Sequence, residues 1–355
     1  MINKLTIVLS LKDRSNFTYR WMKYMNAISC PYKILIADGG GVDKVLEEHL
    51  TNTRNYPNLN YEYFRYTFDK NLDIYYKKVT DVINKVNTEY FIHADNDDFY
   101  ILDHFKLFID YLDENKDFVS CGGSPVFLNL LTNKKRIINS EFGENYVAYY
   151  HNHSQSIVHD DPVERVKYFF ENTENKFLWW LYYNIHRTSV VKKIYRIHDD
   201  YQFKEITIFE LHTFIQLLLE GKVKEFKCPY YLRQNGTSLS HEINLEENLI
   251  KRYILNNSFL EIQKILNNVK RNLNEESAIE INRSIADWFI NSTISLYSPT
   301  KTNKVKKFFK NIFIEKSNFS IYYIFLTLKE KFSFFNKNRK TYVRFPVIEK
   351  HIRSN

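Results

Sequence analysis

The chain has 355 residues, of which 44% are hydrophobic, 26% charged and 17% aromatic, a composition that excludes a disordered segment and allows one large core with an appendage. Its formal charge of +8 is lopsided: from Lys301 to Asn355 there are 14 Lys or Arg against 3 Asp or Glu, so the basicity belongs to the tail and the residues before it are net acidic. Three scattered cysteines, Cys30, Cys121 and Cys228, exclude a disulfide framework or a zinc spacing, and neither a signal peptide nor a membrane-length apolar run is present, so a cytoplasmic protein is expected.

In chain order, the apolar run Leu5 to Leu11 predicts a first strand, and NFTYRWMKYMNAI follows with helical spacing. KILIAD with GGG after it, the helical VDKVLEEHL and the alternating YEYFRY come next. A helix from about Asn71 to Val86 leads to the strand EYFIHAD, and another, about Leu102 to Leu112, leads to DFVSCGG. Strands alternating with helices predict an α/β fold, a mostly parallel, Rossmann-like sheet flanked by helices on both faces. From about Phe127 to Ile197 the pattern loosens around KFLWWLYYNIHR. After it, FELHTFIQLLLEGK reads as a helix with a Gly stop and KEFKCPYYLRQNG as a strand entering a turn. Beyond Leu245 only helical patterns remain, one to about Val269, one over Ala278 to Leu296, and basic aromatic ones from Lys304 and Ser320. The expected division is therefore a catalytic domain over 1–242 and an α-helical basic region over 243–355.

Ligands of such sheets bind beyond the carboxyl ends of the strands. Three polar clusters fall there: Asp13 with Arg14, Asp38 before Gly39 to Gly41, and Asp95, Asn96, Asp97 and Asp98. Asp95 and Asp97 alternate along an extended chain, so both reach one ion if the strand continues that far. Hard divalent cations, magnesium or manganese, favour such oxygens and leave room for substrate phosphates. The competing reading is a solvated acidic turn capping the next helix through Asp98 or Asp103. For Asp38, an ordinary turn before glycines competes with a site role.

The runs LTIVLSLKDR, KILIADGGG and YFIHADNDD resemble the opening of family 2 glycosyltransferases, with the glycosyltransferase A fold and its Asp-x-Asp motif at Asp95-Asn96-Asp97. The resemblance spans roughly residues 4 to 235. It implies a nucleotide-sugar donor held by Asp38, Arg14, Asp95 and Asp97, and a divalent metal, manganese or magnesium, on Asp95 and Asp97. The acceptor would be a saccharide or lipid-linked glycan of surface polysaccharide synthesis. Asp13 stands where the family usually has Asn. The family's base follows a Glu, about eleven residues before a Gly; here Glu210 takes that place before Gly221, with Phe209 replacing the preceding Glu. Glu210 is thus the candidate catalytic base of an inverting transfer, with Asp199, Asp200 and Glu205 as competing carboxylates.

Trp179, Trp180, Tyr182 and Tyr183 offer flat faces to an acceptor sugar, against a plain role in core packing. Arg187 and Arg233 are candidates for anion contacts and His241 for a metal or phosphate contact. The tail, with Phe beside Lys in VKKFFKNIF and LKEKFSFFNKNRK, suits peripheral binding to an anionic membrane at the inner face of the cell membrane, with a packed helical lid as the alternative. No nucleic-acid motif occurs, and no nucleic-acid partner is expected. Two further readings keep the fold: a sugar-phosphate nucleotidyltransferase, which normally needs a Gly-rich basic loop that LKDRSNF lacks, and a noncatalytic binding protein whose tail docks on membrane or nucleic acid.

Overall fold

The run LTIVLSL forms β1 (Leu5–Leu11), buried on both faces at all but one position, as expected for a central strand with no polar alternation. The structure is a computed structural model that describes residues 4–130, 146–150, 155–172, 178–201, 203, 206–235, 264–265, 267–269 and 273–295. β1 lies between β2 (Lys33–Asp38) and β4 (Tyr90–Ala94), with β3 (Tyr61–Arg65) outside β2, all in parallel. The intervening helices are α1 (Ser15–Ala27), α2 (Lys44–Thr51) and α3 (Leu72–Asn84). Asp43 and Asn71 cap α2 and α3 by accepting from the backbone N–H of Leu46 and Ile74, which satisfies donors that a helix start leaves unpaired.

Beyond β4 the sheet becomes mixed. β5 (Phe99–Tyr100), α4 (Phe105–Glu114), β6 (Phe118–Leu130), β7 (Tyr146–Tyr150), α5 (Pro162–Asn172), β8 (Ile185–Arg187), α6 (Thr188–Tyr201), α7 (Ile206–Glu220), β9 (Lys222–Asn235) and α8 (Glu275–Ser295) complete the described elements. The strand order is β3-β2-β1-β4-β8-β6-β9-β5, with β7 paired to β6. β8 runs antiparallel to both β4 and β6, β6 parallel to β9, and β5 antiparallel to β9. The parallel expectation therefore holds for the first four strands, and the architecture is an α/β mixed sheet flanked by helices, which fits the glycosyltransferase A type. β7, α5, β8 and α6 fill the stretch where the sequence pattern loosens. The boundary near residue 242 and the tail, 301–355, lie outside the described residues.

Strand alternation divides the core. Leu5, Ile7, Leu9, Ile34, Ile36, Tyr90 and Ile92 face α1, α2 and α4, whereas Val8, Leu35, Ala37 and Phe91 face α3, α5, α6 and α7. α7 is apolar on nearly every side and buried throughout its middle, as a helix covered on both flanks must be. Two consequences position the candidate site. The period of two that puts Phe91 on the α7 side also puts His93 and Asp95 there. The turn Asp95–Asp98 links β4, in the middle of the strand order, to β5 at its end, so the sheet curls and brings the last residues of β9 beside that turn.

Candidate functional site

The carboxyl ends of β1, β2 and β3 are laced together by short hydrogen bonds. Gly39 N–H donates to Leu11 O at 3.0 Å, Asp69 N–H to Gly39 O at 2.8 Å and Gly41 N–H to Asp13 Oδ1 at 2.6 Å. Asp38 is buried here and accepts from Gly40 N–H at 2.8 Å, Tyr63 Oη at 2.7 Å and Arg65 Nη1 at 2.8 Å. Arg65 also reaches the carbonyls of Gly40 and Gly41 at 2.7 and 3.0 Å. Beneath them Asp69 and Lys78 form a buried ion pair, and Lys78 Nζ donates to Leu11 O at 2.9 Å. Burial pulls both groups toward neutrality, raising Asp69 and lowering Lys78, while their mutual contact opposes it. Asp13 and Arg14 both have left-handed backbones, φ 57° and 64°, a conformation that costs non-glycine residues energy and is held here by the Asp13–Gly41 bond.

That turn aims Arg14 across the rim, where its Nη1 lies 3.2 Å from Asp97 Oδ2. Arg20 of α1, buried between the rings of Phe17 and Phe99, donates to Asp97 O at 3.1 Å. Burial lowers its pKa to about 10, which leaves it charged at neutral pH. Asn96, the middle residue of the Asp-x-Asp run, points the other way and donates to Thr18 Oγ1 at 3.0 Å, anchoring the turn on α1. Asp98 is buried and accepts from Gln234 N–H at 2.8 Å and from the hydroxyl of Tyr231. It caps no helix; it ties the turn to β9. Burial, reinforced by Asp97, pushes its pKa up to about 8. Asp95 keeps more solvent contact and accepts from the Tyr183 hydroxyl. The protein packed around it, and then Asp97, push it up to about 6.

Oxygen atoms of Asp95, Asp97 and Asp98 lie within 4.8 Å of one another, a group among the described residues that could hold a metal ion. Three hard oxygen donors converging in this way fit magnesium or manganese, which need few protein ligands when phosphate supplies the rest. Asp98 thereby joins the predicted pair Asp95 and Asp97, while His241 lies outside the described residues.

Glu210 stands near the same rim in the second turn of α7, which begins at Ile206 and so starts before Glu210 and not after it as expected. Burial raises its pKa to about 7, and its charged neighbours are Arg233, which lowers it, and Asp95, which raises it. Phe209 beside it is buried, its ring 4.0 Å from that of Tyr76 and 5.3 Å from that of Tyr195. The Glu that the resemblance would place there would be immersed in that aromatic slot. Arg233 of β9 is held charged by Asp98, Tyr183, Tyr231 and Asp95 against the cost of burial. His93, buried behind Asp95, touches the Tyr182 hydroxyl through Nε2 at 3.2 Å. Burial lowers its pKa to about 3, so it is neutral.

Two expectations need correction. Tyr183 does not offer a face to an acceptor: it is buried, with its ring stacked on Tyr231 at 4.4 Å and 15° and its hydroxyl on Asp95. Arg187 is not at the rim: it stands opposite Tyr90, at the other end of β4, donates to the carbonyls of Phe118, Leu112 and Asn115, closing the end of α4, and pairs with Glu89 at 3.8 Å. Trp179 and Trp180 fall in the 3-10 turn Leu178–Tyr183, with side chains outside the described residues, as are those of Asp199 and Asp200 and the whole of Glu205. Arg20, Arg65, Tyr231 and Gln234 were not predicted. Arg65, ending a strand like Asp38, carried a positional signal; the others reach the rim only because α1 packs and the sheet curls.

No protein-family model and no curated protein matches the chain. Among solved structures, S. aureus TarS 1–349 is 13% identical over 82% of this chain and 73% of that one, with a TM-score of 0.49. The longer S. aureus TarS structure is 14% identical over 84% of this chain and 44% of that one, also with a TM-score of 0.49. TarS 1–349 in complex with UDP-GlcNAc is 13% identical over 82% and 74%, with a TM-score of 0.48. A likeness this distant assigns no activity, and the functional reading rests on the rim itself.

Proposed function

We propose that the chain is a metal-dependent glycosyltransferase that moves a sugar from a nucleotide donor to a hydroxyl of a saccharide or lipid-linked glycan, with inversion, in surface polysaccharide synthesis. The observation that carries this reading is the meeting of three converging carboxylates with Glu210, whose carboxyl group interacts with Asp95 and Arg233 across one rim. Asp95, Asp97 and Asp98 would hold the cation, which when bound offsets the charge left on the departing diphosphate. Arg14 and Arg233 flank that place and add fixed positive charge. Glu210 takes the proton of the acceptor hydroxyl, whose oxygen forms the new bond to the anomeric carbon. The bond from that carbon to the diphosphate breaks on the opposite face. A base with a pKa near 7 is matched to work at neutral pH. Asp38 with the Gly39–Gly41 loop would receive the nucleoside.

The test is transfer from a panel of nucleotide sugars with and without manganese. Asp97→Asn and Glu210→Gln should each lower kcat by about 100-fold or more, with nucleotide affinity largely kept in Glu210→Gln. Full activity in both variants would refute the site. No helix among the described residues is long and apolar enough to cross a membrane, and the reading assigns the basic tail to peripheral contact with anionic lipid. Deleting 301–355 should abolish binding to phosphatidylglycerol vesicles and leave donor affinity intact; unchanged vesicle binding would overturn that assignment.

A further inference from the structure

Tyr183 and Tyr231 come from distant parts of the chain, the 3-10 turn Leu178–Tyr183 and β9, yet they end as one stacked pair with centroids 4.4 Å apart. Their hydroxyls donate to different carboxylates of the cluster, Tyr183 to Asp95 Oδ2 and Tyr231 to Asp98 Oδ2. Both rings are buried and further wedged, Tyr231 against Tyr100 at 5.4 Å and Tyr183 edge-on to Tyr182 at 5.3 Å. Neither phenol can swing away without opening the core, so the distance between the two hydroxyls is set by the stack.

Carboxylates this close repel one another once ionised, and a bare Asp side chain relieves that by rotating about its Cβ. A phenol O–H directed at one oxygen opposes the rotation and draws off charge. Each carboxylate oxygen has a second lone pair, so one hydrogen bond leaves it able to bind a cation. Hydrogen bonds of this kind orient metal ligands, and their loss typically weakens metal binding by roughly 10- to 100-fold.

We propose that the stacked pair Tyr183 and Tyr231 acts as one positioning unit that fixes the separation of the Asp95 and Asp98 carboxylates and so sets the affinity of the cluster for a divalent cation and its choice of ion. This deepens the metal-dependent reading of the site and rests on it. Magnesium demands a near-ideal octahedron, whereas calcium tolerates irregular ligands. A loosened cluster should therefore lose magnesium and manganese before calcium.

The experiment measures manganese binding to the full chain without donor, from the electron paramagnetic resonance of free Mn²⁺, with magnesium and calcium as competitors. Parent, Tyr183→Phe, Tyr231→Phe and the double variant are compared. Phenylalanine keeps the stack, so metal-free melting temperatures should stay close to the parent's, and either single variant suffices if the other fails to fold. The expected result is a rise in the manganese Kd of roughly tenfold in each single variant, a double variant little worse than the worse single one, and a shift of preference toward calcium. Unchanged manganese affinity and ion preference in well-folded variants would overturn the positioning unit alone. No manganese binding by the parent, even with a nucleoside diphosphate present, would overturn the metal-dependent reading together with it.

Discussion

Glu225 of β9 is buried, with Oε1 accepting from Asn184 Nδ2 at 2.6 Å and Oε2 without a hydrogen-bond partner. Burial pushes its pKa up to about 8, so over the range from about 4.5 to 8 the folded chain keeps a proton that the unfolded chain releases, and stability falls as pH rises through that window. Glu225→Gln removes this contribution. Its thermal midpoint should fall less than the parent's between pH 5 and pH 8.5, by several degrees; parallel curves would show that the carboxyl is not protonated in the fold. The slope should flatten without vanishing, because Asp98, Glu210 and Asp95 are raised to about 8, 7 and 6 and act in the same direction. Activity should run the opposite way, with kcat/KM rising as the Glu210 and Asp95 pair loses protons near neutral pH. A flat pH–rate profile from pH 6 to 8 would remove Glu210 from the role of base. At this scale the positions of Asp38, Asp95 and Asp97 were legible because each stands at the end of an apolar strand, and that of Glu210 because of its spacing before the Gly that closes the helix, although α7 begins a turn earlier, at Ile206. Tyr231 and Arg20 carried no local mark, being polar-tipped residues in ordinary apolar periodicities.

At the scale of elements, the buried Asp69–Lys78 pair joins α3 to the loops after β1, β2 and β3. Lys78→Met would leave Asp69 charged or force its protonation, at a cost of about 3–5 kcal/mol, readable as a lower urea midpoint with an unchanged slope. Gly39→Ala should act on the same contact, since an added Cβ would stand 2.4 Å from the Asp69 carboxylate. A loss under about 0.5 kcal/mol in both variants would mean that the pair is incidental to the fold. The parallel strands β1, β2 and β4 were readable as continuous apolar runs. β5 and β8, of two and three residues, fall below the length at which any period is visible. α6 is amphipathic, but aromatic-rich sequence on its amino-terminal side hid its start.

For the whole molecule, the decisive geometry is the curl that brings β9 to the turn between β4 and β5. Pairing of β5 with β9 is non-local and had no signature in the order of elements, so Arg233 could be named from sequence but not located. Because the cluster, Arg14 and Glu210 are contributed by separate parts of the chain, ligand binding should stabilise the fold as a unit. Manganese with a cognate nucleoside diphosphate at about 100 times Kd should add about 2.7 kcal/mol. Calorimetry would register this as one shifted transition, and Asp97→Asn should abolish the shift.

Loops at a binding mouth ordinarily exchange their amide hydrogens quickly, since nothing ties them down. Here the amides of Gly39, Gly41 and Asp69 are each engaged by a carbonyl or carboxylate from a neighbouring strand end or loop. In deuterium-exchange mass spectrometry, peptides spanning the tips after β2 and β3 should therefore take up label as slowly as the strands that lead into them, even before any ligand is added. On the proposed reading such a mouth would be finished in advance: a donor arriving at it would meet loops already ordered, and would have little ordering left to impose.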